Sequence, residues 1–324
     1  MSDQSSISRR QALALSLAAA LAPTINVAAQ QSVSPRGQPV WRDMDQASLD
    51  AAYDQELFAP NMDLVLEQQA FMNSAAAGRL GSALRFSYGS LAIEALDVYR
   101  SAAVGAPIQV FVHGGTWRWN TADSYAFIAE PFVRAGAHTV ILDFSPVEAA
   151  PNGLADLVRQ VRSAVAWVYS HATEFGGDGE RIFISGHSSG GHLAGAALTT
   201  DWHADYGLPA DVIKGGVCIS GIFDLRPVRL SWRNSYLNLT DASEQALSPQ
   251  RHLDHLRAPL VVVYGTQETP EFQRQSRDFA QAVRDSGQDV QLLVGQGYNH
   301  FEILSTLATP YGLAGGAALA QMGL

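Results

Sequence analysis

A short apolar run, Arg181-Ile182-Phe183-Ile184-Ser185, leads without a break into Gly186-His187-Ser188-Ser189-Gly190-Gly191-His192-Leu193, and this junction constrains the fold more than any other part of the chain. It reads as a strand, a tight G-x-S-x-G turn and a helix. Glycines at 186 and 190 remove side chains where the turn would clash, so the central residue can be held in a strained conformation with its hydroxyl exposed. Ser188 is that residue. Ser189 fails the spacing, because the position two before it is His187 rather than a small residue. The plain alternative is an ordinary strand-to-helix turn, and the apolar strand and helix on either side weigh against it.

A nucleophile on such a turn needs a sheet behind it. Ile108 to Val112, Thr139 to Phe144, Gly216 to Ile219, Leu260 to Tyr264 and Val290 to Val294 are further short apolar runs of the buried-strand kind. Helical stretches lie between them. In Leu154 to Val168, residues Leu154, Leu157, Val158, Val161, Ala164, Val165 and Val168 recur on one face. Strands alternating with helices imply parallel crossovers, a sheet covered on both sides and a site at the carboxyl ends of the strands. Two earlier runs, Arg85 to Tyr88 and Ala95 to Tyr99, suit antiparallel strands that begin the sheet. Before them, Ala47 to Leu80 reads as a small helical cap, with Leu49, Tyr53 and Leu57 at helical spacing and Leu64, Leu66, Phe71 and Met72 following. The Ala/Gly-rich end after Gly312 reads as a loosely packed terminal helix. The expected class is α/β, an α/β-hydrolase fold with a mostly parallel central sheet flanked by helices and a small helical N-terminal cap.

Of 324 residues, 47% are hydrophobic and 16% charged, which suits one large core, assigned to a catalytic domain over 41–324. Residues 1–29 have another character. Ser8-Arg9-Arg10 precedes an Ala/Leu run from Ala12 to Ala22, and Val27-Ala28-Ala29 offers small residues for cleavage, so the segment reads as a twin-arginine-type export signal. Residues 30–40 are a polar linker. The expectation is a periplasmic or secreted enzyme that meets the export machinery but has no stable membrane span, since a span needs roughly 20 apolar residues. A net charge of −10 without any basic run argues against nucleic acid as a partner. The single cysteine, Cys218, sits in an apolar run and reads as a buried small hydrophobe. His252 and His255 form an H-x-x-H pair without a third ligand nearby, so a solvated helix face is the better reading; no metal and no cofactor are expected.

Acyl transfer at Ser188 needs donors for an oxyanion. Val110-Phe111-Val112-His113-Gly114-Gly115-Thr116-Trp117 supplies a strand end followed by two glycines whose N–H groups can approach a small charged atom. Gly114, Gly115 and the Ser189 amide at the helix start are the candidate oxyanion hole. His113 lies on the wrong side of the serine for the chain order serine, acid, histidine, and reads as a loop brace. Among His203, His252, His255 and His300, only His300 follows the last strand-like run, within Gly297-Tyr298-Asn299-His300-Phe301, and it is the candidate base. Glu268 follows the strand Val261 to Gly265 by the few residues needed to clear the sheet edge and is the candidate acid. Glu271 is the rival, although a carboxylate at a helix start is already explained as a capping charge. Trp117 either lines the substrate pocket or packs beneath the cap, and the loop Ser231 to Thr240 is a second candidate for shaping that pocket.

With these residues in place, the chain resembles the arylformamidase (kynurenine formamidase) branch of the α/β-hydrolases, akin to the hormone-sensitive-lipase-like esterases. The likeness rests on the H-G-G-x-W box at His113 to Trp117, the G-H-S-x-G elbow, Ser220-Gly221-Ile222-Phe223-Asp224-Leu225, Ser248-Pro249-Gln250-Arg251, the run Thr269 to Ser276, and the closing His300-Phe301. It implies that the family's acid falls on Glu268, where the usual residue is aspartate. It also implies a small-molecule ester or amide as substrate. An aryl formamide is what the branch suggests, but an export signal fits poorly with a tryptophan breakdown product made inside the cell, so a broader esterase is expected. The competing class is a binding protein that kept the fold, against which stands the presence of every required residue type.

Overall fold

The structure is a computed structural model, and it describes residues 37–324. The export-signal reading of 1–29 and most of the linker assigned to 30–40 fall outside the described residues. Gly37–Leu324 forms one compact unit.

Eight strands make one sheet: β1 Leu84–Ser87, β2 Ala95–Tyr99, β3 Ala106–Val112, β4 His138–Leu142, β5 Gly177–His187, β6 Ile213–Ile219, β7 Leu260–Gly265 and β8 Val290–Gly295. Their spatial order is β1-β2-β4-β3-β5-β6-β7-β8. β1 and β2 join antiparallel, as their position before the first crossover suggested, and every pair from β4 to β8 is parallel. Successive side chains on a strand point to opposite faces, so a strand buried on both sides must be apolar at every position. β7 illustrates this. Leu260 and Val262 join the core layer packed against the helix Leu154–His171, while Val261 and Val263 join the layer under the helices Ala126–Ala135 and Leu313–Met322. β8 departs from the buried-strand reading. It is the edge of the sheet, with one neighbour only, and most of its side chains are half-buried or exposed.

The N-terminal helices are α1, Gln46–Ala52, and α2, Met62–Leu80. Leu49 and Tyr53 are buried in the main core, but α1 stops before Leu57, which lies in a short 3-10 turn and is 65% exposed. Asp45 caps α1 by accepting from the Ser48 N–H, and the chain then turns at Tyr53. This segment is tied to the carboxyl edge of the sheet by polar bonds. Thr269 Oγ1 donates to the Ala52 carbonyl at 2.7 Å, and Gln69 Nε2 donates to the Phe301 carbonyl at 2.9 Å. The outer face of α2 leaves Leu64 and Phe71 exposed. Leu313–Met322 is a terminal helix as read, though it packs closely, with Ala314, Ala318, Leu319 and Met322 buried.

Candidate active site

Five of the parallel strands, β3, β5, β6, β7 and β8, each deliver a residue of the candidate site beyond the carboxyl end. β5 runs directly into Ser188, which opens the helix Ser189–Leu198 with φ 56° and ψ −123°. That left-handed φ is costly for a residue with a side chain and survives only when its surroundings hold it. Here the Ser188 N–H donates to the Ile219 carbonyl at 2.9 Å, tying the elbow to the end of β6. The flanking glycines are required by close approach. A Cβ on Gly186 would stand 2.2 Å from the Gly190 carbonyl oxygen, and one on Gly190 would stand 2.1 Å from the Val112 oxygen.

The three residues read as a triad come together. His300 Nε2 is 2.9 Å from Ser188 Oγ, and His300 Nδ1 is 3.1 Å from Glu268 Oε2. The ionised carboxylate is an acceptor, so Nδ1 carries the proton and Nε2 presents its lone pair to the serine hydroxyl. Glu268 is 1% exposed, and its second oxygen accepts from Ser220 Oγ at 2.6 Å and from the Gly265 N–H at 2.7 Å. Ser220 has φ 49° and donates its own N–H to the Val263 carbonyl. Five of the seven non-glycine residues with left-handed φ among the described residues lie here: Thr116, Trp117, Asn120, Ser188 and Ser220. Strain collects where it sets the direction of functional groups.

The rival acid is used elsewhere. Glu271 is equally buried, but it binds Arg274, with Nε donating to Oε2 at 2.8 Å, and it accepts from the Tyr53 hydroxyl. His252 donates to the Gln245 carbonyl, and His255 lies near Asp201 and Asp254; among the described residues no group of three or more His, Cys, Asp or Glu could hold a metal ion. Cys218 is buried, and burial pushes its thiol up to about 12.

The glycine loop after β3 lies against Ser188, since a Cβ on Gly114 would come within 3.2 Å of Ser188 Cβ. The Gly114 carbonyl accepts from His113 Nδ1 at 2.9 Å and from Asn120 Nδ2 at 3.1 Å. In a trans peptide the carbonyl and the following N–H point oppositely, so pinning the Gly114 carbonyl fixes the direction of the Gly115 N–H. Among the described residues neither the Gly114 nor the Gly115 N–H donates to a backbone acceptor. Ser189 is the first residue of its helix, where an N–H has no intrahelical acceptor. His113 is buried between Phe144 and Tyr125, and burial lowers its pKa, so it braces the loop as a neutral ring.

Trp117 requires a correction as a pocket residue. It is 1% exposed, belongs to the core, and donates its indole N–H to His192 Nδ1 at 3.2 Å, while His192 Nε2 donates to the Leu247 carbonyl. Burial lowers the His192 pKa to about 4 and keeps the ring neutral for both bonds. The tryptophan of this loop that lines the cavity is Trp119, two residues on and 61% exposed. The cavity measures about 380 Å³ and is walled by Ser188, the glycine loop, Met62 and Leu66 of α2, and Trp232 and Arg233 of the 231–240 segment. His187 is a further residue that the elbow motif contains without revealing its task. Its Nε2 donates to the His300 carbonyl at 2.9 Å, and burial holds its pKa well below the ordinary histidine value.

Comparison with known proteins agrees with this fold. The BD-FAE family model matches residues 96–283, more than half of the chain. Kynurenine formamidase of Danio rerio is 30% identical over 281 residues, covering 82% of this chain and 93% of the relative. The Salmo salar kynurenine formamidase is 29% identical over 282 residues with the same coverage. An esterase structure from Pyrobaculum calidifontis superposes with a TM-score of 0.63 over 86% of this chain and 98% of its own, at 18% identity.

Proposed function

Because the chain belongs to the BD-FAE family, within the arylformamidase and hormone-sensitive-lipase-like group of α/β-hydrolases, we propose that it is a serine hydrolase that cleaves a carboxylic ester through an acyl-enzyme. The observation that carries this reading is the unbroken relay from Ser188 Oγ through His300 to Glu268, at 2.9 and 3.1 Å. His300 Nε2 takes the hydroxyl proton as Ser188 Oγ attacks the carbonyl carbon. The carbonyl oxygen, now negative, is held by the amides of Gly114, Gly115 and Ser189. His300 then gives the proton to the departing alkoxide, leaving an acyl-Ser188. Water repeats the sequence: His300 takes its proton, the acid departs, and Ser188 regains its hydrogen. Glu268 holds the imidazole in the required tautomer and stabilises the imidazolium without accepting its proton.

The same machinery acts on any carbonyl, so the leaving group is a separate question. An aryl formamide is the second reading, favoured by the 30% identity to a kynurenine formamidase across most of both chains. Export after Ala29, read from Arg9-Arg10 and the apolar run behind them, favours the ester and belongs to the same proposal. An organophosphonate tests the core of it: a single covalent adduct on the peptide bearing Ser188 is expected, absent in Ser188→Ala. Turnover in Ser188→Ala should fall on the order of a millionfold. Undiminished turnover there would overturn the reading, and absent labelling in the parent chain would favour a binding protein. A panel of phenyl ester, aryl formamide, anilide and carbamate substrates then ranks the leaving groups.

A further inference from the structure

Most arginines that leave water in this molecule are paired with carboxylates. Arg274 meets Glu271 and Asp278, Arg229 meets Glu244 and Asp241, and Arg251 meets Glu244 and Asp224. Arg162, half-buried, donates to the Ala196 carbonyl instead, and Arg233 goes further. At 4% exposure it is the only arginine in the buried class among the described residues, and no carboxylate lies within 4.0 Å of it. Two of its nitrogens, Nε and Nη2, donate to one backbone carbonyl, that of Tyr53, at 3.2 and 2.6 Å. The third, Nη1, makes no hydrogen bond of good geometry among the described residues. Its remaining company is aromatic, with Cζ 5.6 Å from the Tyr53 ring centre and 5.8 Å from that of Trp232. A guanidinium gives up strong hydration on burial and is ordinarily compensated by an anion. A neutral donor would have sufficed for a single carbonyl.

This cation stands in the wall of the cavity that holds Ser188. Around it stand a hydroxyl and a second cation. The Tyr236 hydroxyl is buried beside the side chains of Arg233 and Thr116, with no hydrogen bond of good geometry among the described residues, and Arg118 lies with its Cζ 4.6 Å from the Tyr236 ring centre. Burial raises the Tyr236 pKa, and the nearby charges of Arg233 and Arg118 act against that rise, which puts both cations within electrostatic reach of the hydroxyl. Arg118 has its own partner in Glu148, so Arg233 is the charge left to satisfy. Asp54 and Glu56 also line the cavity. Asp54 Oδ1 accepts from the Glu56 N–H, and Glu56 is exposed, so they form part of the wall facing solvent rather than a partner for Arg233.

We propose that Arg233 anchors a carboxylate borne by the substrate, so that the hydrolase acts on acidic esters or amides. This rests on the reading of the cavity as a hydrolytic site. A guanidinium matches a planar carboxylate with two parallel donors, which fixes the substrate's orientation as well as its charge, and an ammonium offers no such match. An acidic group thus held positions the scissile carbonyl relative to Ser188 from a point remote from the reacting atoms.

The test is a matched pair of probes that differ in charge and little in shape. Calorimetric titration of the wild-type chain with 3-phenylpropanoate and with 3-phenylpropanamide should show the carboxylate bound at least about tenfold more tightly. In Arg233→Gln that ratio should fall to near one, and in Arg233→Lys to an intermediate value. Equal or undetectable binding of the two probes to the wild type would overturn the proposal, as would an undiminished ratio in a folded Arg233→Gln. The wild-type ratio decides the matter if the variants do not fold. Phosphonate labelling of Ser188 is read separately. Labelling without a carboxylate preference leaves the hydrolase standing and removes the anchor; a preference lost in Arg233→Gln without labelling leaves a carboxylate-binding site that is not hydrolytic.

Discussion

The loop leaving β7 and the first turn of the helix that follows it each carry a glutamate, three residues apart, and each glutamate is 1% exposed. They solve the same problem by opposite means. Glu271 is neutralised by the fixed positive charge of Arg274, a structural ion pair that also holds Tyr53 against the helix. Glu268 has no such partner. Its acceptors are met by the neutral donors Ser220 Oγ, the Gly265 N–H and His300 Nδ1. A carboxylate held by neutral donors keeps its field available for a transient imidazolium, whereas one beside a permanent cation has that field already cancelled. Burial by itself does not tell these two carboxylates apart. The kind of partner does.

Four substitutions break or sharpen this contrast. Glu268→Gln should have the largest effect, lowering kcat on the order of ten-thousandfold by removing the charge that orients and stabilises His300, with little change in melting temperature. A loss no greater than that of Glu271→Gln in a chromogenic ester assay would reverse the assignment. Glu271→Gln should act on stability instead, costing about 3 kcal/mol in denaturant titrations because it breaks a buried ion pair, while kcat/KM of the folded enzyme stays within a few-fold. Glu268→Asp tests reach: one methylene shorter, it should keep the charge and cost about 10- to 100-fold in kcat, equivalent to roughly 1.4–2.8 kcal/mol of barrier. Ser220→Ala should have the smallest effect, about tenfold in kcat, through one lost donor to Glu268 Oε1. A Ser220→Ala loss as large as that of Glu268→Gln would mean that the orientation of the carboxylate matters more than its charge.

The glutamate that meets His300 could be read from the sequence because chain order and strand ends are one-dimensional facts. Ser188 sits where an apolar strand meets a glycine-bounded turn, Glu268 falls just past β7, and His300 falls just past β8. Parallel strands put all such positions along one edge, so counting from a strand end places a residue near the site. The same counting does not separate Trp117 from Trp119. Both follow the glycine loop, and which one turns inward depends on the left-handed backbone at Thr116 and Trp117 and on the bond to His192, 75 residues away. Ser220 could have been noticed within Ser220-Gly221-Ile222-Phe223-Asp224-Leu225, immediately after β6, although no local pattern assigns its hydroxyl to Glu268. Arg233 carried no local signal at all, since in the sequence it is one polar residue in an irregular segment.

Taken alone, the sequence determined the α/β architecture, the elbow, the order serine, acid, histidine and the strand that delivers each. All of these follow from hydrophobic periodicity and from the steric demands of a turn, which act between residues close in the chain. Tertiary structure decided which of two equally buried glutamates meets His300, which tryptophan of the glycine loop lines the cavity and which arginine stands buried in its wall without a carboxylate. Those outcomes depend on contacts between residues tens to hundreds of positions apart, such as Arg233 with the Tyr53 carbonyl, and electrostatic partnership is a property of distance in space.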